Sequence, residues 1–340
     1  MTRAPLTGRP PRIALTGATG YVGAAFLRHL SQMVSPWPVT ALVRQLPSRR
    51  LPFVTYLPGE IPGRLPVGFP PSGTDVLIHL AHENRSRDQN VLHAVNVAGT
   101  RALLDAAPDS LKGVLLGSSM SVYGAGVQIR VAETAPARPS TALGRARLGA
   151  EREVAESMRR RGATAYLLRP RFITGRDDTS FLPGIGRLRR LPLRVPADRT
   201  RFSVIDVDDY GSVIAQLARR VLERAARGTP VRTGVNVAYR SPIALRDLFD
   251  LLTAPPAPDR DLDPGRGPVR WLPAAPVRAL TSVFPGQKAS RLAERLDLVT
   301  RSHWADVGLL ESEIGTALTA KSPETVVRSY RAYEPEQEHS

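Results

Sequence analysis

The segment LTGATGYVG, residues 15–23, restricts this chain more than any other. Gly17, Gly20 and Gly23 stand three apart, directly after the apolar run RIALTG and at the head of the helical pattern YVGAAFLRHLSQM. Gly17 permits a tight turn, Gly20 lets the backbone approach a ligand, and Gly23 lets a helix pack close to a sheet. The helix that follows aims its first N–H groups at an anion, and a pyrophosphate suits that geometry. A strand before and a helix after predict a dinucleotide-binding turn, with Thr16, Gly17, Thr19, Gly20, Tyr21, Val22 and Gly23 as candidate contacts.

The first half continues in the same alternation. Strands are expected at PVTALVR (38–44), FVTYL (53–57), TDVLIHLA (74–81), KGVLLGSS (112–119) and ATAYLLRP (163–170). Between them, VLHAVNVAGTRALLDAA (91–107) reads as a helix with Val91, Ala94, Val95 and Ala98 near one face. A second helix opens at PSTALGRARLGAE, where Thr141 can cap and Leu143, Leu148 and Ala150 are apolar. Continuous apolar strands alternating with helices predict an α/β fold with a parallel sheet covered on both faces.

The second half is less regular. FLPGIGRLRRLPLRVPADRTRF (181–202) reads as a basic loop, and SVIDVDDYGSVIAQLARRVLERAA (203–226) as a short strand leading into a helix. GVNVAY (234–239) is a strand candidate, SPIALRDLFDLLT (241–253) a capped helix, and residues 254–268 a surface loop. SPETVVRSYRAY (322–333) starts like a capping box and closes as a helix.

Charge and composition remove several function classes. A formal charge of +16 invites nucleic acid, yet only Lys112, Lys288 and Lys321 are lysines and the arginines are spread along the chain. No basic stripe is interleaved with aromatics, so no nucleic-acid partner is expected; an anionic small molecule accounts for basic residues equally well. Without cysteine there is no disulfide, thiolate nucleophile or thiolate metal site, and no H-x-x-x-H or HExxH pattern occurs. No apolar run approaches the roughly 18 residues of a membrane span, and none precedes the first strand, so a cytoplasmic chain is expected.

The second strand ends in Arg44, where a carboxylate would meet a free ribose 2′-hydroxyl. A guanidinium suits a 2′-phosphate instead, which favours NADP, with NAD as the alternative. With TGATGYVG, DVLIHLA, NVAGTRALLDAA, GSSMSVYG, LLRPRFITG and VIDVDDYGSVI in this order, the chain resembles the extended short-chain dehydrogenase/reductases, the NAD-dependent epimerase/dehydratase family. The resemblance implies a Rossmann-type, doubly wound parallel sheet with a smaller C-terminal substrate-binding part. Residues 10–175, with 202–240 returning to them, would form the cofactor core; 176–201 and 241–335 would cover the substrate. It also implies adenine contacts from Glu60 and Ile61, a cleft lined by Leu80, Ala81 and Asn96, and Arg169–Pro170 near the nicotinamide. Asp206, Asp208 and Asp209 would cap a helix beginning near Tyr210, and no metal is expected. A homodimer through the helix carrying Leu143 is a further expectation.

The resemblance gives Ser119 the catalytic hydroxyl. It then calls for a tyrosine and, four residues on, a lysine; this chain has Leu143 and Arg147. Leu143 has no ionisable proton; Arg147 keeps the positive charge of the lysine that grips the nicotinamide ribose in the family, and is expected at the cofactor, though its planar fork reaches the ribose differently. A substitute donor is expected among His82, Glu83, Arg85, Ser121 and Tyr123, with His82 first. Met120 and Ser121 replace the acidic pair of the sugar-nucleotide dehydratases, and Phe172 stands where epimerases often carry asparagine. Arginines 171, 187, 189, 190, 194, 199 and 201 lie in or near the expected substrate half, where one or two could meet a diphosphate and most are expected as solvated surface. The leading expectation is an NADP-dependent ketoreductase of small-molecule biosynthesis, acting by resemblance on a nucleotide-activated deoxysugar. The alternatives are a silent NADP-binding sensor or scaffold, and a non-redox enzyme with a structural cofactor.

Overall fold

The computed structural model describes residues 9–189, 199–252 and 301–331. They form two compact units. The first comprises the described residues of Met1–Val122, Ala137–Arg169 and Asp208–Val235; the second those of Tyr123–Pro136, Pro170–Val207 and Asn236–Ser340. Residues 123–136, 170–175, 202–207 and 236–240 therefore belong to the second unit, a finer interleaving than the sequence reading drew.

A seven-stranded sheet organises the first unit. Its strands are β1 (Ile13–Thr16), β2 (Val39–Val43), β3 (Val54–Pro58), β4 (Val76–His79), β5 (Gly113–Gly117), β7 (Thr164–Pro170) and β11 (Arg232–Val237). They lie side by side in the order β3-β2-β1-β4-β5-β7-β11. β1 pairs in parallel with β2 and β4, β2 with β3, β4 with β5, and β5 with β7. Every residue of β1, β4 and β7 is buried. That is what a parallel sheet covered on both faces requires, and it explains the near-continuous apolar strands.

Helices α1 (Tyr21–Ser31), α2 (Gln89–His93), α3 (Gly99–Asp105), α4 (Ala142–Arg160) and α6 (Val207–Arg227) surround it. α4 and α3 cover the sheet with Leu103, Leu104, Ala150, Val154 and Met158, packed with Leu77, Val114, Leu116 and Leu167 of the strands. Thr141 caps α4 as expected, its hydroxyl accepting from Gly144 N at 3.0 Å.

The 91–107 helix needs correction. Five residues, Ala94–Ala98, wind as a π-turn between α2 and α3. The inserted turn rotates the buried face, so Leu92, Asn96 and Val97 point inward while Val91 is 41% exposed. Helix α6 also begins at Val207, not near Tyr210, which puts Asp208 and Asp209 in its first turn. Asp208 there accepts from Arg28 Nε of α1 at 2.8 Å.

The second unit holds a parallel pair, β8 (Phe172–Thr174) with β10 (Val204–Asp206). It also holds a four-stranded sheet in the order β12 (Ile243–Ala244), β9 (Arg201–Phe202), β13 (His303–Ala305) and β6 (Gln128–Val131). Phe181–Arg189, read as loop, is helix α5. Asp178 caps it: its carboxylate accepts from the backbone N–H of Ser180, Phe181 and Leu182 at 2.8–2.9 Å. Pro183 sits in the first turn, where its missing N–H breaks no helical bond.

Helix α7 (Leu245–Leu251) has no side-chain cap, because Ile243–Ala244 leave as a strand before it. Ser322 caps the closing helix Pro323–Arg331 by accepting from Thr325 N at 3.3 Å, while its hydroxyl donates to Glu324. The expected loop at 254–268 lies outside the described residues.

Candidate functional site

The site lies at the carboxyl edge of the first unit's sheet, where the strand order reverses across β1 and β4. Gly17 leaves β1 with φ +78°, and a Cβ there would come 2.8 Å from Ala81 N and Leu80 C. Gly20 N donates to Gly17 O at 3.0 Å and closes the turn. A Cβ on Gly23 would stand 2.1 Å from Gly17 O, so only glycine lets α1 begin this close to the strand. Gly20 is the N-cap of α1; no side chain caps that end and no acid lies in its first turn. The helix therefore keeps backbone N–H groups for an anion, and its turn is a cradle that any side chain would fill. These residues fit a dinucleotide diphosphate.

Beneath the turn a buried chain of hydrogen bonds ties three elements together. Thr100 donates to Asn96 O at 2.7 Å, which leaves its oxygen to accept from His79 Nε2 at 2.9 Å. His79 Nδ1 then accepts from Thr16 Oγ1 at 2.7 Å, and Thr16 in turn accepts from Ala81 N at 3.2 Å. Burial pushes the His79 imidazole down to a pKa of about 4, so it is neutral with its proton on Nε2. Asn96, set inward by the π-turn, accepts from Glu83 N at 2.8 Å and donates to Glu83 O at 3.0 Å. The network fixes the loop after β4 against β1 and α3; nothing in residue spacing announces it.

Among the candidate donors on that loop, Glu83 is engaged. Its carboxylate accepts from Ser86 N at 2.8 Å and Arg85 N at 2.6 Å, and these bonds hold it below the usual carboxylate range. It is ionised at neutral pH and carries no proton to give. His82 stacks on His79 with ring centroids 5.2 Å apart. Burial, then the Arg147 charge, pushes its imidazole well below the ordinary value. His82 Nδ1 lies 3.3 Å from Leu80 O. A carbonyl only accepts, so that contact puts the proton on Nδ1 and leaves Nε2 as a lone pair. That Nε2 is buried without a partner, as is Ser121 Oγ.

Ser119 is half-buried just past β5, its hydroxyl oxygen accepting from Ser121 N at 3.1 Å. Leu143 leans on Leu92, Val97 and Ala146, so its side chain completes an apolar cluster. Arg147 donates to Gly117 O at 2.9 Å and to Asn84 Oδ1 at 2.7 Å, spanning the ends of β5 and of the loop after β4. Asn84 was not anticipated; no motif marks it.

The remaining candidates fall in different surroundings. Arg169 directs its guanidinium to Glu151, Nε to Oε1 at 2.9 Å and Nη2 to Oε2 at 2.6 Å, and Glu151 also accepts from Ser118 Oγ. That side chain is committed to a buried ion pair. Ile61 packs where a Cβ on Gly99 would touch it at 2.3 Å, and Glu60 pairs with Arg64 through the backbone. Arg44 is exposed at the end of β2, and its charge bears on Glu83. In the second unit, Tyr123 donates its hydroxyl proton to Asn236 Oδ1 at 2.9 Å and is 9% exposed. Among the arginines foreseen for a diphosphate, Arg199 and Arg201 are exposed, while Arg190 and Arg194 lie outside the described residues. Among the described residues no three His, Cys, Asp or Glu side chains cluster to hold a metal, and no helix is long and apolar enough to cross a membrane.

Residues 13–226 match the NAD dependent epimerase/dehydratase family. The chain is 29% identical over 253 residues to the 4-hydroxy-2-methyl-3-oxo-4-farnesyl-3,4-dihydroquinoline-1-oxide ketoreductase of Stigmatella aurantiaca, covering 71% of this chain and 72% of that protein. Among solved structures it resembles the terminal R domain of the myxalamid PKS-NRPS pathway, with TM-score 0.69, 20% identity and coverage of 96% and 91%. It also resembles WbmH of Bordetella bronchiseptica, solved with NAD+, with TM-score 0.65, 17% identity and coverage of 96% and 98%. At such identities the two structures speak for the fold alone.

Proposed function

This chain belongs to the NAD dependent epimerase/dehydratase family, and from that premise we propose that it is an NADP-dependent ketoreductase. The observation that carries the reading is the uncapped start of α1 behind a turn that only glycine can make. Gly17, Gly20 and Gly23, with Thr16, Thr19, Tyr21 and Val22, would hold the diphosphate, and Leu80, Ala81 and Asn96 the cleft beyond it. Arg44 supports NADP over NAD, since a charge-assisted contact to a 2′-phosphate contributes about 1.5–3 kcal/mol.

When bound, the nicotinamide supplies the hydride. The Ser119 hydroxyl would donate to the substrate carbonyl oxygen and orient it. The neutral His82 Nε2, an acceptor by its tautomer, would hold in place the water that protonates the reduced oxygen, the hydroxide leaving to solvent. Loss of the usual acid costs such an enzyme about 10²–10⁴ in rate, which positioning and the hydride donor leave tolerable for a slow, specialised reaction. The relative named as a ketoreductase of a farnesylated quinoline supports an apolar ketone, and Leu143 in place of a hydroxyl is in keeping with it; an activated deoxysugar is the competing class.

The experiment is NADPH consumption with a panel of both ketone classes, before and after Ser119→Ala. The reading expects turnover on one class and a drop of roughly 10²-fold in the variant. If no carbonyl compound draws hydride while NADPH still binds, the chain is the silent NADP-binding protein that Leu143 also suggests.

A further inference from the structure

Arg147 reaches the sheet edge from α4 with both terminal nitrogens on neutral acceptors, Gly117 O and Asn84 Oδ1. Among the described residues no carboxylate stands within ion-pair distance of it. The titratable groups that bear on it are Tyr210, a buried phenol whose pKa burial pushes up, and Glu151, which is held by Arg169 and Ser118. Arg147 is half-buried; desolvation lowers the guanidinium to a pKa of about 10, which leaves it charged at neutral pH. A charged fork held on neutral acceptors and still reached by solvent is open to an anion that arrives with a ligand. Two neighbours also lack partners: His82 Nε2 and Ser121 Oγ. Arg147's charge acts on His82, and the Ser121 carbonyl lies against Gly144, one turn earlier on α4.

We propose that Arg147, oriented by Asn84 and acting beside His82, is an oxyanion receptor that holds the alkoxide formed at the substrate carbonyl. The inference rests on the ketoreductase reading and gives its chemistry a counter-charge. Hydride brings an electron pair to the carbonyl carbon, the C=O π pair moves to oxygen, and the nicotinamide is oxidised. The resulting alkoxide sits against Arg147 and takes its proton from water afterwards, so no acid is needed at Leu143. Asn84 is a positioning residue: it fixes the plane of the guanidinium fork.

Acetate, a small stable oxyanion, is the probe. It is titrated with and without saturating NADP+ while the His82 imidazole resonances, assigned through His82→Asn, are followed by NMR. The expected result is saturable shifts of His82, weakened at least about tenfold in Arg147→Met and severalfold in Asn84→Ala, with NADP+ affinity in both variants within about threefold of the parent. Far-UV circular dichroism checks each fold, and Arg147→Lys, which keeps the charge but not the fork, should bind acetate with intermediate strength. The proposal is overturned if acetate leaves His82 unmoved, or if Arg147→Met weakens NADP+ tenfold or more while acetate still binds, since Arg147 would then be a cofactor clamp. Acetate binding in a chain that binds no NADP+ would keep the subsite and sink the reductase reading.

Discussion

Glu151 and Arg169 meet inside the first unit as a two-pronged ion pair with side chains 3% and 9% exposed. Ser118 completes the carboxylate's hydrogen bonds, so α4, β5 and β7 are joined by charge where the surroundings are apolar. Removing one partner strands the other away from water. Glu151→Gln is expected to destabilise the chain by about 3–5 kcal/mol, measured by urea unfolding. A loss below about 1 kcal/mol, the size of an exposed pair, would contradict this.

The turn after β1 gives a second prediction. Gly17→Ala must place a Cβ 2.8 Å from Ala81 N at φ +78°. The strain is about 1–3 kcal/mol, and shifting the loop moves the cradle, so NADPH affinity should fall at least about tenfold by fluorescence titration. Unchanged affinity would disconnect the turn from the coenzyme.

Stability should also depend on pH through His79. Its folded pKa of about 4 lies below the ordinary 6.5, so the unfolded chain takes up a proton first as pH falls. The contribution is complete above pH 6.5 and is lost as pH drops from there toward about 4. Over that window it amounts to about 3 kcal/mol. Urea midpoints at pH 7.5, 6 and 5, with protein and His79→Gln compared, isolate it; His82 shifts the same way and remains in both. Parallel pH curves for the two proteins would refute the assignment.

Leu143 should matter to the fold more than to the coenzyme. Half-buried against Leu92, Val97 and Ala146, it is expected to cost about 1–2 kcal/mol as Leu143→Ala, below the range of a fully buried leucine. NADPH affinity should stay within about threefold of the parent. A tenfold fall would put Leu143 in the cofactor cleft.

The legible part of the site was the part that periodicity and glycine spacing encode. RIALTG followed by three glycines located β1, the turn and α1, because a tight turn and a close helix leave no other residue type free to stand there. Thr141 as the α4 cap was equally readable, since a capping hydroxyl acts within three residues. The π-turn at Ala94–Ala98 was not, for a five-residue winding inside an apolar helix leaves the pattern ambiguous and turns Asn96 inward instead of Ala94. Helix α5 was hidden in the same way by Pro183, harmless only because Asp178 starts the helix just ahead of it.

Residue chemistry alone dictates that β1 leads through a glycine turn into a helix start, and that position 143 offers no proton. Both follow from the chemistry of single residues and their near neighbours. Long-range packing sets the rest: Arg169 belongs to Glu151, His79 is a neutral link between Thr16 and Thr100, and Arg147 rests on Asn84. Those partners are 18 to 63 residues apart. Hydrogen bonds at such separations exist only once parallel pairing has brought the ends of β1, β4 and β5 side by side.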